Sequence, residues 1–358
     1  MSCQNTDTAA RPDKPEPLSF AVTRASGAEQ RRSLLVAISE QEERMFFPDG
    51  SLQFPGYEIE RLHPEGGGDF HASMRGSRAE VVLSAWATPL LDAQWLLSQE
   101  CPVKYICQIS GSLRRQVPRA YLANGGLASN WAGLAAPMVA EHALLLALGA
   151  LRKLPEWRAS FTAGPARTLL RTRTLFGKRV GMHGFGRVAR ELVKLLKPFG
   201  TKTCAYSAGV SHDYIKSFGV TPCDSLAELF AQSQVLFECE ALTGESWGSV
   251  TRALIGALPE GAVFVNVGRG RLVDESALIE AAKRKKIHIA LDVAASEPIL
   301  DGNPVLAAPG ALISPHIGGP TDDFLPELGR FARSNLERYL RGEKPEGIVT
   351  LRDYDRAT

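Results

Sequence analysis

The chain has almost no excess charge of either sign. Its 41 Lys and Arg stand against 39 Asp and Glu, a formal net charge of +2 over 358 residues. That balance excludes the broad cationic surface a nucleic-acid or polyanion partner requires. The one basic run, Lys283-Arg284-Lys285-Lys286, ends an expected helix (Ser276 to Lys286), where cations favour the C-terminal dipole. Paired cysteine motifs are also missing. The six cysteines (Cys3, Cys101, Cys107, Cys204, Cys223, Cys239) form no CxxC pair and no metal-like spacing. Several fall in or beside expected strands, as small buried residues do, which fits a reducing cytosol and a cytoplasmic location. No apolar run reaches the length of a membrane span. The first 17 residues lack the apolar centre of a signal peptide. Polar and with three prolines, residues 1–17 are expected to be a disordered tail.

What is present is ordinary globular composition, 44% hydrophobic and 22% charged, in a chain long enough for two cores. From Leu34 onward strands and helices alternate, which predicts a parallel α/β architecture. The first half reads as strands at Leu34–Ser39, Tyr57–Leu62, Val81–Trp86, Tyr105–Ile109 and Gly126–Ser129. A long apolar helix follows, Pro137 to about Arg152, with proline in its first turn. It is too apolar for a surface helix and is expected to lie between domains. The second half reads as a six-strand doubly wound domain, its first strand leading into a glycine turn. The other five are Thr203–Ser207, Val235–Glu240, Ala262–Val267, Ile289–Val293 and Leu312–Ser314. A last helix runs from Asp322 to about Arg341.

The glycine turn is the most specific local signal. Val180-Gly181-Met182-His183 reads as a short strand, Gly184-Phe185-Gly186 as the turn, and Arg187-Val188-Ala189-Arg190 as the start of a helix. Gly184 permits a tight turn, Gly186 lets a pyrophosphate approach the backbone, and Ala189 takes the third small position. The helix N-terminus offers free N–H groups and a positive dipole end. The pattern predicts a bound dinucleotide.

Three polar signatures follow, each at or just past a strand's C-terminal end, where ligands bind in doubly wound sheets. They are Asn266-Val267-Gly268-Arg269-Gly270, Leu291-Asp292-Val293 running on to Glu297-Pro298, and Pro315-His316-Ile317-Gly318-Gly319. A guanidinium at Arg269 can fork onto a carboxylate and a carbonyl oxygen, or make a surface ion pair. His316 sits on a rigid turn and can move a proton near neutral pH, or serve structurally. Glu297 can hold an imidazole or be a solvated charge. Asp292, at the end of an apolar strand, needs a partner unless it faces water.

In order and spacing these motifs resemble the D-isomer-specific 2-hydroxyacid dehydrogenase family, from about Val81 to about Arg341. The resemblance also uses Val139-Ala140-Glu141 on the long helix. It implies two doubly wound parallel-sheet domains, a Rossmann coenzyme domain inserted into a flavodoxin-like substrate domain. The implied division is 18–133 with 318–358 for the substrate domain and 134–317 for the dinucleotide-binding domain. It implies NAD, with NADP possible, a small 2-oxo or 2-hydroxy acid substrate, no nucleic-acid or membrane partner, and a homodimer. Carried over residue by residue, Arg269 would bind and polarise the 2-oxo acid, and His316 would be the acid/base with Glu297 as its partner. Asp292 would meet the nicotinamide carboxamide. Gly184, Phe185, Gly186, Arg187, Val188, Ser207 and Val267 would line the coenzyme. Gly111 and Ser112 would hold the substrate carboxylate through backbone N–H groups. Trp86 would be a bulky wall or a core residue.

Three departures stand out. The acidic residue expected about 20 residues after the glycines, for the ribose hydroxyls, is replaced by Ser207, with no cation directly after it. Weak coenzyme discrimination is therefore expected, leaning slightly to NAD(H), with His212 able to attract a 2′-phosphate if it reaches the ribose. Gln234 and Cys239 stand where the family often has Asp and His. The loops Ser84 to Thr88 and Gly111 to Arg115 differ from better-known substrate loops. Formate dehydrogenases share the fold but carry glutamine where Glu297 stands, which counts against that reading. Related coenzyme-sensing corepressors can retain the same triad, and near-neutral charge argues against that class.

Overall fold

The computed structural model describes residues 31–50, 52–162, 170–284 and 286–356. The expected tail at 1–17, and the start of the next segment at 18, lie outside the described residues. Two parallel sheets organise the chain. The first holds β1 (Arg32–Ala37), β2 (Tyr57–Arg61), β3 (Val81–Ser84), β4 (Tyr105–Gln108) and β5 (Leu127–Ser129), in the order β2-β1-β3-β4-β5. The second holds β6 (Arg179–His183), β7 (Lys202–Tyr206), β8 (Thr221–Pro222), β9 (Val235–Glu238), β10 (Ala262–Asn266), β11 (Ile287–Leu291) and β12 (Leu312–Ile313). Its order is β12-β11-β10-β9-β6-β7-β8. These are the flavodoxin-like and Rossmann strand orders, the second extended by one strand.

The sheets form where they do because their strands are apolar runs rather than alternating ones. β3, β4, β9 and β10 are buried along their whole length, as strands covered on both faces must be. The second sheet has seven strands, not the expected six. The extra one, β8, is two residues long and exists only by pairing Cys204 with Thr221 and Ala205 with Pro222. So short an edge segment has no periodicity to read, and its proline is tolerated because an edge has no further neighbour. Cys107, Cys204 and Cys223 are buried and unbridged.

The long helix, Ala136–Leu151, packs on the second sheet. It lies against β10, β11 and the helix Arg187–Leu196. Ala140, Ala143, Ala147 and Ala150 line its buried side; small side chains let the two helices approach. Leu145, on the other side, is 54% exposed. The last helix, Leu325–Leu340, returns to the first sheet, where Leu328, Ala332 and Leu336 join Leu34, Val81 and Tyr105 in one core. Among the described residues no helix is long and apolar enough to cross a membrane.

Candidate active site

The glycine turn leaves β6 at His183. Gly184 adopts φ +87°, and a Cβ there would stand 2.6 Å from Cα and N of Glu240, so only glycine fits. A Cβ on Gly186 would meet nothing within 4 Å. Gly186 is the N-cap of Arg187–Leu196 and offers no side-chain cap. The first-turn N–H groups therefore border open space, a cradle that fits a pyrophosphate. Ala189 is fully buried in the third small position. Val188 is half-buried against the core, and Phe185, buried against Phe218, can serve a ligand only through its backbone. The same holds for buried Val267. Arg187 lines a shallow cleft with Gly133, Ala136 and Arg190.

Arg269, Asp292, Glu297 and His316 leave the C-terminal ends of β10, β11 and β12, three neighbouring strands. Parallel strands send all their exits to one edge, which is why residues as far apart in sequence as Arg269 and His316 converge. Asn266 shapes the first exit: its Oδ1 accepts the Gly268 N–H (3.0 Å) and its Nδ2 donates to the Arg269 carbonyl (3.2 Å). Arg269 Nη1 donates to the Gly268 carbonyl at 2.7 Å. Burial lowers the Arg269 pKa, Glu297 opposes that, and Arg115 adds to it. Arg115 belongs to the first sheet's loops, so those loops face Arg269. Arginine stays charged throughout.

His316 holds φ +58°, a left-handed conformation uncommon outside glycine. Its N–H donates to the Asp292 carbonyl at 2.8 Å. Nδ1 lies 2.8 Å from Glu297 Oε2, and Glu297 Oε1 accepts the Ala294 N–H at 3.1 Å. The imidazole is thereby oriented by a carboxylate that is itself held, while its side chain stays 47% exposed.

Asp292 has the partners its position demanded. Oδ1 accepts the Ser314 hydroxyl (2.7 Å) and the Ile317 N–H (2.9 Å), and Oδ2 accepts the Gly318 N–H (2.9 Å). His142 Nε2 lies 3.3 Å from Oδ1 and 2.8 Å from Ser314 Oγ. Burial raises the Asp292 pKa, but these hydrogen bonds outweigh it and hold it below the usual carboxylate value. His142 and Ser314 were not singled out from sequence; the demand of a buried Asp292 for donors was the only available signal.

On the first sheet, Trp86 follows β3, and Gly111 and Ser112 follow β4. Trp86 is 44% exposed, its ring tilted against Phe46 at 5.3 Å and edge-on at 6.1 Å to Trp131. It lies at the surface rather than in the core. A Cβ on Gly111 would collide with the Trp131 ring, and Asn130 Nδ2 donates to the Gly111 carbonyl. Trp131 and Asn130 thus shape this loop although sequence reading passed over them.

The coenzyme edge departs most from expectation. Ser207 is buried, and its hydroxyl donates to Glu240 Oε2 at 2.9 Å, so it does not stand open to a ribose. Below it, His183 Nδ1 lies 2.6 Å from Glu238 Oε2. His212 opens the helix His212–Lys216 and faces Asp224 at 3.8 Å. Gln234 Oε1 accepts the Arg179 N–H at 3.1 Å, and burial pushes the Cys239 thiol up. A visible signal existed: Val-Leu-Phe-Glu puts a carboxylate at the end of a fully apolar strand.

Residues 144–318 match a family model described as D-isomer specific 2-hydroxyacid dehydrogenase, NAD binding domain. The chain is 33% identical over 215 residues to the D-3-phosphoglycerate dehydrogenase of Methanocaldococcus jannaschii, covering 60% of this chain and 41% of that protein. It is 30% identical over 222 residues to the glyoxylate reductase/hydroxypyruvate reductase of Homo sapiens, covering 57% of this chain and 64% of that one. The chain thus spans less than half the length of the first relative. Among solved structures, the apo D-mandelate dehydrogenase of Rhodotorula graminis shares the fold at TM-score 0.76 and 20% identity, covering 89% of this chain and 98% of that chain. A glyoxylate reductase from Paecilomyes thermophila does so at TM-score 0.71 and 22% identity, with the same coverage.

Proposed function

We propose that the chain is a D-isomer-specific 2-hydroxyacid dehydrogenase, an NAD(P)-dependent oxidoreductase interconverting a small 2-oxo acid and a D-2-hydroxy acid; the match of residues 144–318 to that family's NAD binding domain supports the reading. The observation that carries this reading is the His316–Glu297 pair at 2.8 Å, on the same sheet edge as Arg269. The division of labour follows from the chemistry of the groups. The coenzyme, when bound, supplies or accepts the hydride. Arg269 holds the 2-oxo acid and stabilises charge developing on its carbonyl oxygen. His316 gives a proton to that oxygen in reduction and takes it back in oxidation; with Nδ1 committed to Glu297, Nε2 is the transferring atom. Glu297 fixes the ring, and backbone N–H groups of Gly111 and Ser112 take the substrate carboxylate. Trp86 limits the substrate's side chain.

Gly184, Gly186 and the N-terminus of Arg187–Leu196 hold the pyrophosphate, with Phe185, Arg187, Val188 and Val267 bordering it. Asp292 meets the nicotinamide carboxamide. We further propose the division 18–133 with 318–358 for the substrate domain and 134–317 for the coenzyme domain, and a cytoplasmic homodimer. Turnover of glyoxylate, hydroxypyruvate and phenylpyruvate, each with NADH and NADPH, tests the reading. Reduction of at least one is expected; no turnover of any, with either coenzyme, overturns the assignment.

A further inference from the structure

The carboxylate missing from the end of β7 is supplied from the far side of β6. In the second sheet β7 and β9 flank β6. Ser207 comes one residue after β7, and Glu240 two residues after β9. The Ser207 hydroxyl donates to Glu240 Oε2 at 2.9 Å, so the Glu240 carboxylate reaches across the end of β6 toward the edge where the ribose acid is absent. Its backbone is fixed there. Glu240 N–H donates to Glu238 Oε1 at 2.9 Å, and Glu238 Oε2 is paired with His183 at 2.6 Å. Gly184 accommodates the Glu240 main chain by having no Cβ. The other carboxylate oxygen, Oε1, accepts the Ala241 N–H at 2.9 Å.

We propose that Glu240 is the coenzyme-selecting residue of this chain and Ser207 its positioning residue. The inference rests on the coenzyme reading above. An ionised carboxylate only accepts hydrogen bonds, and it retains lone pairs after these two contacts. A vicinal diol satisfies it with two donors. A 2′-phosphate brings only acceptors and like charge, and nothing at Ala208, Gly209 or Val210 offsets them. The chain is therefore selective for NAD(H), in place of the weak discrimination that the serine alone predicts. The selecting charge arrives from a different strand.

The test measures binding rather than turnover. Wild-type protein is titrated with NADH and NADPH by calorimetry or fluorescence, beside Glu240→Gln and Ser207→Ala. Wild type is expected to bind NADH at least about a hundredfold more tightly. Glu240→Gln keeps the shape and removes the charge; its preference should fall to about tenfold or less, mainly through tighter NADPH binding. Ser207→Ala keeps the charge and frees it, so NADH should weaken several-fold while NADPH stays excluded. Equal affinities in wild type, or an unchanged ratio in Glu240→Gln, overturn the assignment. Binding of neither coenzyme overturns it together with the coenzyme reading. Selectivity that Glu240→Gln relaxes, without turnover of any 2-oxo acid, upholds it and removes only the dehydrogenase reading.

Discussion

His183 and Glu238 form a buried ion-pair-forming couple, Nδ1 to Oε2 at 2.6 Å, directly beneath the glycine turn. Burial works to lower the His183 pKa, but the charge and hydrogen bond of Glu238 outweigh it, with Glu240 adding to the rise. A folded-state pKa above the unfolded one means the contribution to stability is complete below about pH 6.5 and is lost as pH rises through the raised value. Melting temperature followed across that range is expected to decline on the alkaline side in wild type. The decline should be smaller in a variant lacking the histidine.

The same couple predicts a mutational asymmetry. His183→Ile alone leaves Glu238 buried and unpaired, at a cost of about 3–5 kcal/mol. His183→Ile with Glu238→Leu replaces the pair by packed apolar groups and is expected to recover most of that loss. Chemical denaturation of the two variants checks it; equal stability would show that the pair is not coupled.

Arg269→Ala is expected to reduce kcat/KM for a 2-oxo acid by about a thousandfold or more, the scale set by losing a charge that stabilises a developing oxyanion. NADH affinity should stay near wild type, because the glycine cradle is on β6 and not on β10. Steady-state kinetics with a parallel coenzyme titration separates the two effects.

His316→Gln is expected to lower kcat by about a hundredfold to ten-thousandfold. Since Glu297 acts by holding the His316 ring, Glu297→Gln should lower kcat less, and the double variant should be little worse than His316→Gln alone. Fully additive losses would mean that the two side chains act separately.

Asp292→Asn puts an amide where Oδ1 and Oδ2 now accept from Ser314, Ile317 and Gly318. One buried N–H then loses its acceptor, at about 1–3 kcal/mol. The wild-type contribution is present above the ordinary aspartate value and is lost as pH falls through the depressed folded one. Wild type should therefore lose more of its melting temperature than Asp292→Asn on acidification.

Much of this protein is determined by local sequence. Apolar runs too continuous for half-exposed strands dictated parallel sheets. Gly184, Gly186 and Ala189 announced the turn by the conformations and approaches that only small residues allow. Arg269, Asp292, Glu297 and His316 were legible because strand exits in doubly wound sheets share one edge. The tertiary structure decided what depends on neighbours across the sheet. β8 exists only through pairing with β7. Asp292 is satisfied by His142 from a helix 150 residues earlier in the chain. The Ser207 hydroxyl meets Glu240 because β7 and β9 lie on either side of β6, although 33 residues separate the two side chains in sequence. Local pattern reports a residue's own conformational cost; which carboxylate stands at a given edge is set by strand order, a property of the whole sheet.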